Sequence, residues 1–250
     1  MLLSSERNQL LRALQPEDRE YLIPHLHQVT FSLGQVVWEP GDKLTTAYFP
    51  IGSLVSLLCT MENGTTAEMG LIGDDGMLGL SIFLGSESSW CRAMVAAEGE
   101  ALAVPAAAIR DRCLTGPGFR AVLLRYTQAL LTQVSQTAVC NRLHSVEQRL
   151  CRWLLLCQDR IGRPELRMTQ ELIAHMLGGR RESVTVAAGH LQDLGLIQYC
   201  RGHITILDRP GLEVASCECY RAVENELDRL FATRSLPQLR RSADALEAAG

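Results

Sequence analysis

The sequence predicts an α+β chain: an antiparallel roll of short strands in front, one long helix in the middle, and a helical block with a hairpin behind. Three observations carry that prediction. Between Gln28 and Pro105, turn residues such as Pro40-Gly41-Asp42, Asn63-Gly64 and Asp74-Asp75-Gly76 separate short β-branched and aromatic runs. Between Pro117 and His144, apolar residues recur every seven positions. Further on, "MTQELIAHMLGGRRESVTVAAGHLQDL" sets two helical patterns on either side of Gly178-Gly179. With 250 residues, 47% of them apolar, the chain is long enough for a buried core, and wholesale disorder is excluded.

The elements follow in order. Leu10, Leu11, Leu14 and Leu22 share one face of a helical start. The strands of the roll come next, with Asn63-Gly64 as a tight hairpin turn in which both residues take positive φ. Two more strands flank Glu98-Gly99, and the sheet ends near Pro105. In the long helix, Leu123, Leu130, Thr137 and His144 form one row, and Leu124, Leu131 and Ala138 form a second. That is more surface than one contact needs, so one face should pack on the roll and the other on a partner helix. "SVEQRLCRWLLLCQDRIG" predicts a helix stopped by Gly162-Arg163-Pro164. Thr169 should cap the next helix, and Gly195 should end the one after. "LIQYCRGHITIL" reads as a two-stranded wing turning at Arg201-Gly202, residues 211–233 as one amphipathic helix, and the tail after Pro237 as polar and loosely ordered. The organisation is thus 1–115 antiparallel roll, 116–144 dimerisation helix, 145–212 helix-turn-helix with its wing, and 213–250 C-terminal helix and tail.

A helix-turn-helix needs a small residue where the helices cross, a glycine in the turn, and an aliphatic residue filling the angle; Ala174, Gly178 and Val184 meet those needs. Val184, Ala187, Leu191 and Leu194 form the expected buried face. The second helix would present its start to a DNA major groove: Arg180, Arg181, Glu182 and Ser183, then Thr185 and Val186. Arginine can bridge two guanine acceptors and Glu182 can accept from cytosine. A carboxylate facing DNA weakens phosphate contacts, so its use is to choose bases. Arg201 and His203 on the wing are candidate phosphate contacts. The net charge of −4 argues against nucleic acid as a partner, but the segment 141–212 is net positive. Arginine itself is no signal here, because Lys43 is the only lysine among 24 basic residues.

With these motifs in place, residues 20–212 resemble the Crp/Fnr family of bacterial transcription regulators. "MTQELIAHMLGGRRESVTVAAGHLQDLGLIQYCRGHITILD" is similar to that family's winged helix-turn-helix. "GQVVWEPGD" and "AYFPIGSLVSLL" are similar to its cyclic-nucleotide-binding-like β-roll, a double-stranded β-helix. The resemblance implies a homodimer on a palindromic site in double-stranded DNA, with RNA polymerase as a further candidate partner. It makes Arg181 and Glu182 the base-reading pair and Thr169 and Gln170 the phosphate contacts. Val186 stands where another base-reading arginine is common. Members that bind cyclic nucleotides carry a Gly-Glu pair for the ribose and an arginine for the phosphate. Here Gly76, Met77 and Leu78 occupy the first region, and Arg92 lies beside the second, where Cys91 falls. These four are the effector-facing candidates. A ribose hydroxyl buried without its carboxylate costs roughly 1–3 kcal/mol, so cyclic AMP is not the expected effector. An unidentified small molecule is, and no cofactor is expected.

Other classes fit less well. "GLIGDDGMLGLSIFLG" lacks the Lys-Ser/Thr ending of a phosphate loop, and neither HExxH nor Gly-x-Ser-x-Gly occurs, so no catalytic residue is expected. The N-terminus has no apolar signal core and no run of 18 apolar residues exists, so the expected location is the cytoplasm, away from membranes. Nine scattered cysteines without CxxC argue for free thiols. No cysteine precedes Cys59, which excludes the N-terminal iron–sulfur ligation of oxygen-sensing relatives. Cys217-x-Cys219 offers two ligands where structural zinc needs four, so packing at a helix start is the expected role and no metal site is predicted. The alternative function is a redox- or metal-sensing regulator on this scaffold, using Cys140, Cys151 and Cys157 near the domain junction.

Overall fold

The protein is described by a computed structural model over residues 6–232. The two short helices α1 (Gln9–Arg12) and α2 (Pro16–Leu22) lead into the roll. Strands β1 (His27–Phe31), β7 (Gly99–Pro105) and β3 (Thr46–Ile51) form one antiparallel sheet in the order β1-β7-β3. The other contains β2 (Val36–Trp38), β6 (Arg92–Ala97), β4 (Leu54–Thr60) and β5 (Thr66–Ile72), in the order β2-β6-β4-β5. The strands either side of Glu98 are therefore consecutive in the chain but lie in different sheets. The link at Asn63-Gly64 is longer than expected. It spans residues 61–65, with Gly64 in the left-handed region (φ +81°), and Asn63 is not. Asn63 instead accepts from the Thr65 amide, and that side-chain turn does what a second positive φ would have done.

A one-turn helix α3 (Leu80–Phe83) follows β5. Helix α4 (Ala106–Thr115) follows β7, where the sequence pattern had the roll simply end at Pro105. Its "AAAIRDRCLT" shows weak helical periodicity, so only its packing on the roll defines it. Helix α5 (Pro117–Leu143) then runs 27 residues, close to the predicted span.

The C-terminal block starts with α6 (Val146–Ile161). Ser145 and Gln148 close a capping box at its start, and Gly162 ends it at φ +73°. The helix-turn-helix is α7 (Gln170–Leu177) and α8 (Arg181–Asp193). The wing has three strands rather than two. β8 (Glu165–Arg167) pairs with β10 (His203–Ile206), which pairs with β9 (Ile197–Cys200). Three residues after Pro164 were too short a run to show an alternating pattern. The expected helix at 211–233 is two: α9 (Arg209–Ala215) and α10 (Cys219–Ala232), broken at 216–218. Residue 233 and the tail beyond Pro237 lie outside the described residues.

Strand β4 shows how roll and C-terminal block join. All of Leu54, Val55, Ser56, Leu57 and Leu58 are buried. Val55 and Leu57 point into the roll core with Ile72, Ala93 and Val95. Leu54 and Leu58, with Leu71 and Ala96, belong to a second core built around Leu150, Trp153, Leu154 and Cys157 of α6. A strand covered on both faces is mainly apolar, and the buried exception, Ser56, is hydrogen-bonded to Glu68.

Two buried polar contacts cross the same seam. The Arg160 guanidinium, 2% exposed, sits 2.8 Å from Asp75 of the roll and donates to Gln133 of α5 at 2.9 Å and to the Leu156 carbonyl at 3.0 Å. Gln133 in turn donates to the Leu71 carbonyl at 3.0 Å. Trp153 Nε1 donates to Glu68 Oε1 at 3.0 Å, and Ser56 donates to the other oxygen of that carboxyl. Burial pushes the Glu68 carboxyl up to about 7, and the donors and cations around it only partly offset this.

Two outcomes are expected. Arg160→Met leaves Asp75 a buried charge without its partner, so denaturant unfolding should show a loss of about 3–5 kcal/mol, and Asp75→Asn in the same chain should restore a large part of it. For Glu68, the folded carboxyl holds a proton that the unfolded one has released. Stability is therefore lost as pH rises from about 4.5 toward 7. Thermal melts of wild type and Glu68→Gln should diverge across that window in favour of Gln and run parallel above it.

Candidate nucleic-acid interface

The helix-turn-helix is assembled as its residue types require. Thr169 Oγ1 accepts from the Leu172 amide at 3.1 Å and caps α7, with Glu171 in the first turn. Ala174 is buried at the crossing, Gly178 turns the chain at φ +58°, and Val184 is fully buried in the angle. Ala187 and Leu191 complete the buried face. Leu194 does not: it is 55% exposed, because α8 ends at Asp193 and Gly195 (φ +72°) turns the chain so that Leu196 packs instead.

The residues left outside are the ones the sequence singled out. Arg180 is the extended residue before the first turn of α8, and Arg181, Glu182 and Ser183 form that turn; all four are exposed, as are Thr185 and Val186. The free amides of a helix start lie in the same place and favour an anion. Thr185 Oγ1 donates to Gln170 Oε1 at 2.9 Å and to the Arg181 carbonyl at 3.0 Å, fastening the recognition helix to the start of α7. The wing tip closes in from the other side. Arg201 (φ +49°) and Gly202 (φ +81°) form its turn, and the Gly202 carbonyl accepts from the Met168 amide at 2.7 Å. Arg201 and His203 are exposed, and the turn lies against Thr169. Thr169, Gln170, Thr185 and the wing thus form one patch, with Arg180–Ser183 presented from the next helix start. The Gln170–Thr185 bond is beyond sequence reasoning, because it joins residues 15 apart across a turn.

The effector candidates are less closely grouped. A cavity of about 330 Å³ opens between the roll and α5, lined by Trp38, Leu57, Leu80, Trp90, Leu130 and Met77 among others. Of the four candidates only Met77 lines it. Gly76 lies against the Tyr126 ring, with no room for a side chain, and the Met77 amide and carbonyl both bond the Tyr126 hydroxyl at 3.0 and 3.1 Å. Leu78 is buried in the strand-like contact with Tyr48. Arg92 faces away and is paired with Glu39 at 2.8 Å, so the cavity wall carries no cation among the described residues. Trp38, Trp90 and Leu130 were missed because they come from a strand, a loop and a helix that only the fold brings together.

Seven of the nine cysteines fall into two sets. Burial pushes the thiols of Cys91 and Cys113 up to about 11 and of Cys151 up to about 12, and that of Cys157 well up, which leaves little thiolate at neutral pH. Cys151 and Cys157 pack in the second core as apolar side chains. Cys140 stands apart from them, with His144, Cys217 and Cys219.

Comparison with known proteins agrees with this geometry. The family model for a Crp-like helix-turn-helix domain matches residues 148–215, and that for a cyclic nucleotide-binding domain matches residues 28–115. The chain is 25% identical over 187 residues to the "Global nitrogen regulator" of Nostoc sp. strain PCC 7120, covering 71% of this chain and 83% of that protein. It is 24% identical over 188 residues to the regulator of the same name from Synechococcus elongatus, covering 71% and 84%. Among solved structures, FixK2 from Bradyrhizobium japonicum shares the fold with a TM-score of 0.67 at 14% identity, covering 77% of this chain and 98% of that one. A CRP/FNR-family transcriptional regulator of Thermus thermophilus, TTHA1359, gives 0.59 at 23% identity, covering 76% and 98%. With a cyclic nucleotide-binding domain in front and a Crp-like helix-turn-helix behind, the chain belongs to the Crp/Fnr family of DNA-binding transcription regulators.

Proposed function

We propose that the chain is a homodimeric, cytoplasmic regulator that reads a two-fold symmetric site in double-stranded DNA, and that its roll answers to an apolar small molecule rather than to cyclic AMP. The carrying observation is the exposed start of α8, where Arg181 and Glu182 stand free of the core while Val184 and Leu191 anchor the helix. Arg181 reads guanine and Glu182 selects or holds its neighbour. Thr169, Gln170, Arg201 and His203 hold the backbone around the groove. Among the described residues, no helix is long and apolar enough to cross a membrane.

Dimerisation is supported by the second row on α5. Leu124 and Leu131 are each 56% exposed, and Ala138, Val139 and Leu143 continue the exposed stripe, while Leu123 and Thr137 of the first row are buried within the chain. A long apolar stripe left uncovered by the described residues of its own chain suits a second copy of the same helix. Leu131 also lines the cavity, so a ligand there would sit beside the partner helix. The apolar wall favours a ligand held by contact area, with Ser81, Ser89 and Thr127 as the polar points that would orient it. The Asp75–Arg160 pair provides a route from the Met77 turn to α6.

In gel shifts with DNA from its own operon, Arg181→Ala should lose about 1–3 kcal/mol of discrimination per half-site. Arg201→Ala should weaken all sequences alike. Equal binding of specific and random DNA by wild type and Arg181→Ala would refute the assignment. Isothermal titration should show weak or no cyclic AMP binding; tight binding abolished by Arg92→Ala would overturn the apolar-effector reading.

A further inference from the structure

The break between α9 and α10 has a chemical pattern of its own. It turns Cys217 and Cys219 inward against the last turn of α5, where Cys140 and His144 sit four residues apart on one face. The four ligand atoms, three Sγ and one imidazole nitrogen, all lie within 4.8 Å of one another. Cys140 Sγ is 3.5 Å from Cys217 Sγ, and Cys219 Sγ is 3.6 Å from His144 Nδ1. Ligand atoms around a tetrahedral zinc, with bonds of about 2.0–2.3 Å, lie roughly 3.4–3.8 Å apart. The three cysteines are buried in a small cluster of their own, separate from both main cores. All are free thiols.

We propose that Cys140, His144, Cys217 and Cys219 form a Cys3His site for a structural Zn²⁺ ion, a function beyond the DNA-binding reading and independent of it. Two further observations point to a ligand. His144 turns Nδ1 toward the thiols, and its Nε2 lies 3.4 Å from the Glu218 carboxylate, the arrangement by which an outer carboxylate orients a metal-bound imidazole. The buried cations Arg149 and Arg152 stand beside Cys140 and offset the negative charge that three thiolates around one zinc carry. Each has a buried Nε without a hydrogen-bond partner. Binding replaces three thiol protons, released to solvent, with three S–Zn bonds and one N–Zn bond, with no change of oxidation state. The ion would fasten α10 to the end of α5. Ser145, the cap of α6, is the next residue after His144, so the site would also fix the joint from which the DNA-binding block departs.

The test uses the full chain, purified under reductant and without chelator. Elemental analysis and native mass spectrometry are expected to show close to one zinc per chain. Replacement by Co²⁺ should give the visible bands of tetrahedral cobalt with thiolate charge transfer in the near ultraviolet. Cys217→Ser should abolish that spectrum, and Cys200→Ser, on the exposed wing, should leave it unchanged. Because Cys217→Ser could unfold the chain, Glu218→Gln is the second variant: its side chain is 83% exposed, and zinc affinity should fall about 10–100-fold with the fold intact. The proposal fails if the protein carries no stoichiometric zinc and gives no cobalt bands, if the bands survive Cys217→Ser, or if native metal-free protein holds a Cys140–Cys217 disulfide. Unchanged affinity in Glu218→Gln would overturn the assignment of His144 as fourth ligand.

Discussion

The arrangement of this molecule depends on a single buried guanidinium. Arg160 belongs to the first helix of the C-terminal block, yet its partners come from three places: Asp75 at the end of the roll's four-stranded sheet, Gln133 on the long helix, and a carbonyl of its own helix. A cation removed from water needs both a counter-charge and acceptors placed in the directions of its N–H groups, and no one element supplies all of them. The roll, α5 and α6 must therefore meet in one geometry for the two terminal nitrogens to be paired, while Nε stays buried without an acceptor. Asp74 and Glu224, carboxyls that burial pushes up to about 7, both feel the same cation, which offsets part of that rise. Asp75, the counter-charge, lies two residues before Met77, which lines the cavity between the roll and α5.

The hydrophobic side of the seam follows the same logic. Strand β4 gives alternate residues to two cores, and Glu68 of its neighbour β5 reaches out of the roll to Trp153. Gly178, in the turn of the helix pair, faces Ala67 on that strand, so the DNA-reading unit leans on the same hairpin. Strand β5 thus touches α6 through Glu68 and the turn after α7 through Ala67.

Much of this was legible in the sequence. Local chemistry did the work: Thr169 as a cap, Gly162, Gly178 and Gly195 as left-handed turns, and the seven-residue rows of α5 each rest on interactions within a few residues. Legibility ended where long-range packing decides. Helix α4 has little periodicity of its own, β8 is three residues long, and the interruption at 216–218 has no glycine or proline at its centre to announce it. At the site, the exposed Arg180–Ser183 set was visible from its offset to Gly178. The cavity walls, the Arg92–Glu39 pair and the meeting of Cys140-x3-His144 with Cys217-x-Cys219 were not, since each joins distant segments. The four-residue spacing of Cys140 and His144 and the close pair Cys217-x-Cys219 were only local hints of the last.

The two-faced β4 strand also decides what counts as a part of this protein. Its sequence suggests a cut after His144, between an effector roll and a DNA-reading block. Such a cut would uncover Leu54, Leu58 and Leu71 on one piece and Trp153, Leu154 and Cys157 on the other, all of them buried now. Each fragment would expose an apolar face that the other now covers. The boundary drawn by homology therefore runs through the middle of a shared core, and shuffling this effector roll onto another DNA-binding block would require carrying α6 along with it.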